Sequence, residues 1–97
     1  MNLLEVRTGR DGAIHLAGEL DIASRPSFDA AIAEWTVGDG PLTLDLAELT
    51  FLDSTGIHGF LKLAGDREIV LRTPQPLVRR VLDIARLDEH PRIRIEE

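Results

Sequence analysis

The sequence contains no cysteine and no tyrosine, and its only aromatic residues are three phenylalanines and one tryptophan. The lack of cysteine excludes disulfides, thiol catalysis and thiolate metal sites from this chain. So few aromatic side chains make a poor stacking platform for single-stranded nucleic acid. Basic residues are also scarce, since 11 lysines and arginines stand against 17 aspartates and glutamates, for a net charge of -6. This balance argues against a nucleic-acid binder or a polybasic membrane binder and is compatible with a protein partner that presents a basic surface.

Long apolar runs are absent too, because no run approaches the roughly 18 residues that a membrane-spanning helix needs. Residues 1–6 lack a basic region followed by a long apolar one, so we expect no signal peptide. The sequence therefore predicts a soluble, cytoplasmic protein without membrane insertion. Its 97 residues predict one domain over residues 1–97, because two separate cores would each be too small.

Short apolar or alternating segments along the chain predict β-strands. These segments are residues 4–7, 13–17, 42–46, 68–72 and 92–95. The first two flank Gly9–Gly12, whose residues favour a tight turn, so they predict a β-hairpin. The last segment is expected to be an edge strand.

Three segments between these strands carry apolar residues at helical spacing. Ser24 and Pro26 predict the start of the first helix, and Pro74 and Pro76 allow the third helix to begin. Residues 38–41, which include two glycines and a proline, are expected to end the first helix. The apolar stripes are Phe28, Ala31, Ile32 and Trp35; Ile57, Phe60, Leu61 and Ala64; and Leu77, Val78, Val81, Leu82 and Ala85. Strands interleaved with helices predict an α/β sheet with crossover helices on at least one face.

The segment from Leu49 to Phe60, LTFLDSTGIHGF, places a polar tetrapeptide between two apolar flanks. We expect a helix to begin near Asp53 or Ser54, where unpaired backbone amides carry a partial positive charge. Asp53 is then placed to cap the helix, and the hydroxyl of Ser54 is expected to be accessible. Gly56 removes a side chain at a point where we expect another backbone to approach.

Two interpretations of this tetrapeptide remain open from the residues alone. It is either a well-capped helix start or a site at which Ser54 accepts a phosphate. A phosphate adds roughly -1.5 to -2 charges, which a helix N-terminus tolerates. Because Asp53 would repel it, such a switch would act mainly through repulsion at an interface.

Residues 42–46 and 49–57 resemble the signature of STAS domains, the family of bacterial anti-sigma factor antagonists with relatives in sulfate transporters. Three further segments agree in order and spacing. Leu16–Asp21 resembles the family's "GELD" strand end, Pro74 with Val78–Leu82 resembles its third helix, and Leu87-Asp88 resembles the turn that follows. The resemblance implies an α/β fold with a mixed sheet of four to five strands and about three helices packed against it.

The resemblance also implies a function in partner switching. The unphosphorylated protein would bind a serine-kinase anti-sigma factor and release the sigma factor, and the kinase would then phosphorylate Ser54 until a phosphatase reverses this. Asp53, Thr55 and Gly56 frame the phosphoacceptor, and Asp21 matches a family position near the same surface. These residues are the implied partner-binding set. We expect no cofactor and a monomer or weak dimer.

Two features depart from the family pattern. The stretch from Gly56 to Glu68 is shorter than usual, so the second helix is expected to be shorter by about two turns. His58 stands where relatives commonly have a small residue. Because Ser54, His58 and Lys62 are spaced i, i+4, i+8, they are expected to line one exposed stripe, and we include His58 and Lys62 in the partner-binding set. His58 could hold a phosphate, clash with the usual partner or have no role.

Other functions were weighed against this one. Asp21, Asp45 and Asp53 suggest a carboxylate cluster for Mg²⁺, but no lysine stands at the end of a later strand. A Gly-x-Ser-x-Gly motif is also missing, and the three histidines lack metal-ligand spacing, so we expect neither catalysis nor a metal. The alternative is an accessory STAS subunit of a larger assembly, a lipid-transport ATPase or a stress-sensing complex, without a phosphorylation cycle. Packing and solubility explain the basic cluster of Arg79, Arg80, Arg92 and Arg94.

Overall fold

Five strands and three α-helices make up the fold in the computed structural model, which describes residues 4–36, 38 and 40–97. The elements are β1 (Glu5–Thr8), β2 (Ile14–Leu20), α1 (Arg25–Trp35), β3 (Leu42–Leu52), α2 (Ser54–Ala64), β4 (Ile69–Arg72), α3 (Pro76–Ile84), a 3₁₀ turn (Leu87–Glu89) and β5 (Ile93–Glu96). The α/β fold, the hairpin and the five strands are confirmed. Residues 1–3, 37 and 39 lie outside the described residues. Residues 1–3 belong to the segment in which no signal peptide was expected, and residue 39 belongs to residues 38–41, which were predicted to end the first helix.

The strands lie in the sheet in the order in which they follow in the sequence, β1-β2-β3-β4-β5. β1 and β2 are antiparallel, and the other three pairs are parallel, so the sheet is mixed as expected. Each parallel connection crosses to the next strand in the same direction. Since such crossovers are right-handed, all three helices lie on one face of the sheet.

The core lies between the helices and this one face of the sheet. Along β3, Leu42, Leu44 and Leu46 are buried, while Thr43 and Asp45, which point the other way, are only partly buried. The buried apolar side chains of all three helices belong to the same cluster as the strand leucines. On α1 and α2, the rings of Phe28 and Phe60 meet edge to face, with 5.9 Å between their centroids.

The second face of the sheet carries a row of charged residues that crosses all five strands. The row is formed by the register partners Arg7, His15, Asp45, Arg72 and Glu96. Arg72 donates to Asp45 at 3.0 Å and to Asp11, in the hairpin loop, at 2.8 Å. A face with this polarity is suited to contact with water, which explains why a largely parallel sheet is stable here with only one helical layer.

Several residues of the three apolar stripes are exposed. Trp35 and Leu61 are 38% and 37% exposed, and Leu77 is 63% exposed. Ala85, which follows α3, is also exposed. A helix that rests on a sheet buries only a stripe about 100° wide, so apolar residues at the border of the stripe face solvent.

Three arginines of the predicted basic cluster, Arg79, Arg92 and Arg94, each have a partner of their own. Arg79 bonds to Asp83 at 2.9 Å, and this hydrogen bond raises the pKa of its guanidinium above the ordinary value. Arg94 is paired with Glu96 at 2.9 Å, and Arg92 donates to the main-chain oxygen of Gly65. Hydrogen bonds or ion pairs within the chain therefore explain the presence of three of the four arginines.

Among the described residues, no helix is both long enough and apolar enough to cross a membrane.

Candidate functional site

The candidate site lies where the carboxyl ends of β2 and β3 meet. Leu20 and Leu52 are register partners, and the amide of Asp53 donates to the main-chain oxygen of Leu20 at 3.4 Å. Asp21 and Asp53 therefore leave adjacent strand ends on the same edge of the sheet. The structure brings together two stretches that stand about thirty residues apart in the sequence.

Asp53 caps α2. Its backbone is extended, and Oδ1 of its carboxylate accepts hydrogen bonds from the amides of Thr55 at 2.9 Å and Gly56 at 3.3 Å. The main-chain oxygen of Asp53 accepts the amide of Ile57 at 3.1 Å, the first bond of the helix. The capping prediction is confirmed, and these first-turn amides are occupied by a carboxylate from the chain itself.

Ser54 is the first residue of α2, and its side chain is exposed. Its hydroxyl has no hydrogen-bond partner within the part of the chain that the structure describes. Asp53 already accepts the amides of Thr55 and Gly56, so the cap does not require the hydroxyl of Ser54. The expected accessibility of Ser54 is confirmed.

Thr55 and Gly56 face the protein more than the solvent. Thr55 is half-buried, and Gly56 is buried. A Cβ on Gly56 would lie 2.3 Å from Cδ1 of Leu52 and 3.0 Å from Cγ of Leu20. The sequence left room here for another backbone to approach, but the nearest atoms are not main-chain atoms. The closest atoms belong to leucine side chains, because the first turn of α2 rests directly on the ends of β2 and β3.

Asp21 is half-buried and holds the loop between β2 and α1. Its Oδ1 accepts the amide of Ser24 at 3.0 Å, and its own amide donates to the hydroxyl oxygen of Ser24 at 2.9 Å. Ser24 is fully buried, and its hydroxyl donates to the main-chain oxygen of Glu19 at 2.9 Å. Ser24 stands at the capping position of α1 as predicted, but its side chain fastens the loop and does not cap the helix.

Arg25 is a site residue that the sequence analysis did not single out. Its Nη1 donates to the main-chain oxygen of Thr55 at 2.9 Å, and its Nε donates to Asp29 at 2.9 Å. Gly59, in the middle of α2, leaves the space for this side chain, since a Cβ there would lie 3.3 Å from Nε of Arg25. A glycine inside a helical pattern was the available signal, because it is unfavourable there unless something packs closely.

His58 and Lys62 are exposed on α2, as is Ser54, which agrees with the predicted stripe. Neither side chain has a hydrogen bond or an ion pair with any described residue. Together with Arg25 and Leu61 they line a shallow groove between α1 and α2. The site therefore combines an accessible hydroxyl, a capping carboxylate and a basic groove.

The three aspartates considered for Mg²⁺ do not form one cluster. Asp45 bonds to Arg72 at 3.0 Å and accepts the amide of Ala47 at 2.9 Å, whereas Asp21 fastens a loop and Asp53 caps a helix. Within residues 4–36, 38 and 40–97 the structure contains no group of three or more histidines, aspartates and glutamates that could hold a metal ion. Each carboxylate is explained by its local structural role.

Comparison with known proteins agrees with this architecture. The model of a protein family described as "Mlab, STAS domain" matches residues 3–95. A crystal structure of a candidate anti-sigma factor antagonist from Thermotoga maritima superposes with a TM-score of 0.73 at 18% sequence identity, covering 97% of this chain and 86% of that one. That likeness shows a shared fold. None of the curated proteins gives a significant match. Since the family model spans nearly the whole chain, the protein belongs to the STAS domain family.

Proposed function

We propose that this STAS domain is an anti-sigma factor antagonist that binds a serine-kinase anti-sigma factor through the start of α2. Phosphorylation of Ser54 by that kinase ends the complex, and a phosphatase restores it. Asp21, Asp53, Thr55 and Gly56, together with His58 and Lys62, form or support the contact surface. The protein acts in the cytoplasm as a monomer or weak dimer and has no catalytic role of its own.

The observation that carries the proposal is the state of Ser54. Its hydroxyl is exposed at the first position of α2 and has no partner among the described residues, so a kinase has access to it. Asp53 already occupies the amides of Thr55 and Gly56. A phosphate on Ser54 is therefore not neutralised by these amides, and its charge is presented to the partner. The modification changes the surface and leaves the fold intact.

The surroundings of Ser54 support a protein partner. Ile22 lies just after the end of β2, and the neighbouring end of β3 leads to Ser54. The side chain of Ile22 is 77% exposed. Leu61, on α2, is also partly exposed. Protein interfaces commonly have an apolar centre and a polar rim. Exposed apolar side chains beside a polar helix start are typical of such a surface. An added charge of roughly -1.5 to -2 within such a contact weakens binding strongly.

A second candidate function is an accessory subunit of a larger assembly that uses the same helix start as a permanent docking point. The exposed side chains of Ser54 and Ile22 suit a permanent contact as well as a switched one, and the family description "Mlab, STAS domain" fits both functions. In that case Ser54 contacts the partner and is not modified.

A pull-down from the native host separates the two functions. The baits are the wild type, Ser54→Ala, Ser54→Asp and a control, Thr8→Asp. Thr8 is exposed and pairs with Ile14, at the opposite end of the sheet from Leu20, so the control adds the same charge far from the site. Bound proteins and the phosphorylation of Ser54 are read by mass spectrometry.

The proposal expects a histidine-kinase-like serine kinase to be retained by the wild type, Ser54→Ala and Thr8→Asp and to be lost with Ser54→Asp. One partner retained by all four baits, with Ser54 unmodified, would establish the accessory subunit instead. Retention of no kinase by any bait contradicts the anti-sigma factor antagonist.

A further inference from the structure

A groove of about 360 Å³ opens between α1 and α2, and its lining residues are Arg25, His58, Leu61 and Lys62. We propose that this groove binds a carboxylate side chain, an aspartate or glutamate, of the protein partner. The identity of that partner rests on the proposed function, whereas the preference for a carboxylate rests on the groove itself.

Three basic side chains converge on the groove from two helices. His58 and Lys62 are one turn apart on α2, so they lie on the same face, and helical side chains lean toward the N-terminus of their helix, here toward Ser54. Neither has a hydrogen bond or ion pair with any described residue. Arg25 reaches the groove from α1. Arg25 and Lys62 offer several donors and no acceptor, and the imidazole of His58 can add an N–H, which is the arrangement that a carboxylate requires.

Arg25 is held in place before any partner binds. Its Nε bonds to Asp29 and its Nη1 to the main-chain oxygen of Thr55, while Nη2 has no acceptor among the described residues. Its side chain is 18% exposed. A guanidinium that already donates hydrogen bonds to two partners loses little conformational entropy when it donates to a third. Arg25 is therefore preorganised for a carboxylate.

Gly59 keeps the groove open. A Cβ at this position would lie 3.2 Å from the ring of Phe28 and 3.3 Å from Nε of Arg25. Phe28 is fully buried and has little room to move, so a side chain at position 59 would press on Arg25 and shift it from its present position. The groove therefore depends on a glycine in the middle of α2.

The charge of the groove is opposite to that of the whole protein. The chain carries a net charge of -6, yet the titratable residues that line this groove are all basic. Further along the same two helices, an adjoining groove is lined by Asp29 and Asp66 as well as Lys62. The polarity thus changes within a short distance, and the end near His58 and Lys62, away from Asp29 and Asp66, is the one that suits a partner carboxylate. Such a change in the sign of the charge determines how two proteins align in a complex more than how tightly they bind.

Leu61 completes the site with an apolar wall. It is 37% exposed and lines the groove beside the basic side chains. The methylene groups of a glutamate or aspartate can pack against it while the carboxylate meets the donors. This combination favours a side chain of a protein over a free inorganic anion.

The proposal is tested by NMR titration of the ¹⁵N-labelled protein with capped hexaglutamate, and with capped hexalysine as the opposite probe. We expect hexaglutamate to shift the amides of His58, Gly59 and Lys62 and the Nε–H signal of Arg25 in a saturable manner. Lys62→Gln, which removes an exposed and unpaired charge, should weaken binding about threefold, since an exposed ion pair contributes this much. Arg80→Gln on α3, also an exposed cation, is the matched control and should leave binding unchanged.

The proposal is overturned if hexalysine produces the same shifts, or if Arg80→Gln weakens hexaglutamate binding as much as Lys62→Gln does. This titration needs no kinase, so its failure is distinguishable from that of the proposed function. A kinase lost with Ser54→Asp, in a protein that does not bind hexaglutamate at the groove, would leave the antagonist in place and remove the carboxylate site.

Discussion

The guanidinium of Arg25 donates a hydrogen bond to the main-chain oxygen of Thr55 over 2.9 Å, and so joins the first turn of α1 to the first turn of α2. The two residues are 30 positions apart in the chain. Because Thr55 directly follows Ser54, this contact sets the position of the proposed phosphoacceptor relative to the basic groove. The start of α2 is thus fixed from two sides, by Asp53 within its own helix end and by Arg25 from the neighbouring helix.

Replacing Asp53 by alanine should lower the free energy of unfolding by about 1 kcal/mol, the usual cost of losing a helix cap. The carboxylate accepts the amides of Thr55 and Gly56, and alanine would leave both to water. Asp53→Asn keeps a side-chain oxygen as an acceptor and should cost much less. Urea denaturation of the three proteins measures the difference. Equal losses for the two variants would show that the cap does not operate as the structure indicates.

Gly56→Ala should destabilise the protein by about 1 kcal/mol. Alanine favours a helix by up to roughly 1 kcal/mol over glycine, but overpacking a core costs about 1–3 kcal/mol. The added Cβ would lie 2.3 Å from the buried side chain of Leu52, so the second effect should exceed the first. Gly40→Ala is the control, because nothing lies within 4 Å of a Cβ there. Thermal unfolding should show a lower Tm for Gly56→Ala alone.

Ser24→Ala should lower stability by about 1–3 kcal/mol, since it removes the acceptor of one partly buried main-chain amide and the donor to one main-chain oxygen. These belong to Asp21 and Glu19. Ser27, exposed on the same helix, provides the control, and Ser27→Ala should stay within about 0.5 kcal/mol of the wild type. Chemical denaturation compares the two. A near-neutral Ser24→Ala would contradict the role of this hydroxyl in holding the loop that carries Asp21.

Asp11 makes stability depend on acid pH. The amide of Ala13 donates to its carboxylate, and this bond, followed by that from Arg72, lowers the pKa of Asp11 below its ordinary value of 3.8. Because the folded state binds the proton less tightly than the unfolded state, the contribution is present above the ordinary pKa. It is lost as the pH falls through the lower pKa of the folded state.

The corresponding variant is Asp11→Asn. Its urea midpoint should lie below that of the wild type at pH 7, and the gap should narrow when the pH falls below 3.8. Asp66→Asn is the matched control, since Asp66 is exposed and its side chain bonds to no described residue. A gap that stays constant between pH 7 and pH 3 would show that the charge of Asp11 is not what stabilises the hairpin loop.

The sequence predicted those features that depend on neighbouring residues. The start of α2 at Ser54 followed from a capping aspartate directly before an apolar helical stripe, and both the helix start and the cap are confirmed. The hairpin followed from Gly9–Gly12, and Gly12 indeed adopts a positive φ of 82°. Local chemistry was sufficient in these cases because the deciding hydrogen bonds join residues close in sequence.

Features that depend on distant residues were missed. The hydrogen bond from Arg25 to Thr55 requires α1 and α2 to lie side by side, and no pattern in either segment predicts this arrangement. Leu61 and Leu77 show helical periodicity but lie at the border of the buried stripe, and only the packing angle against the sheet decides their exposure. Gly56 was recognised as a point of close approach, whereas the approaching leucines were not, because they lie on two different strands.

The order of the sheet has a consequence for how the protein is made. Each strand pairs with the one that precedes it in the chain, so the strands leave the ribosome in the order in which they join the sheet. No strand has to wait for a later segment to be inserted between it and its neighbour. Residues 21–62, which contain the whole candidate site, are synthesised before β4, α3 and β5, and these later elements complete the core without contributing a residue to the site.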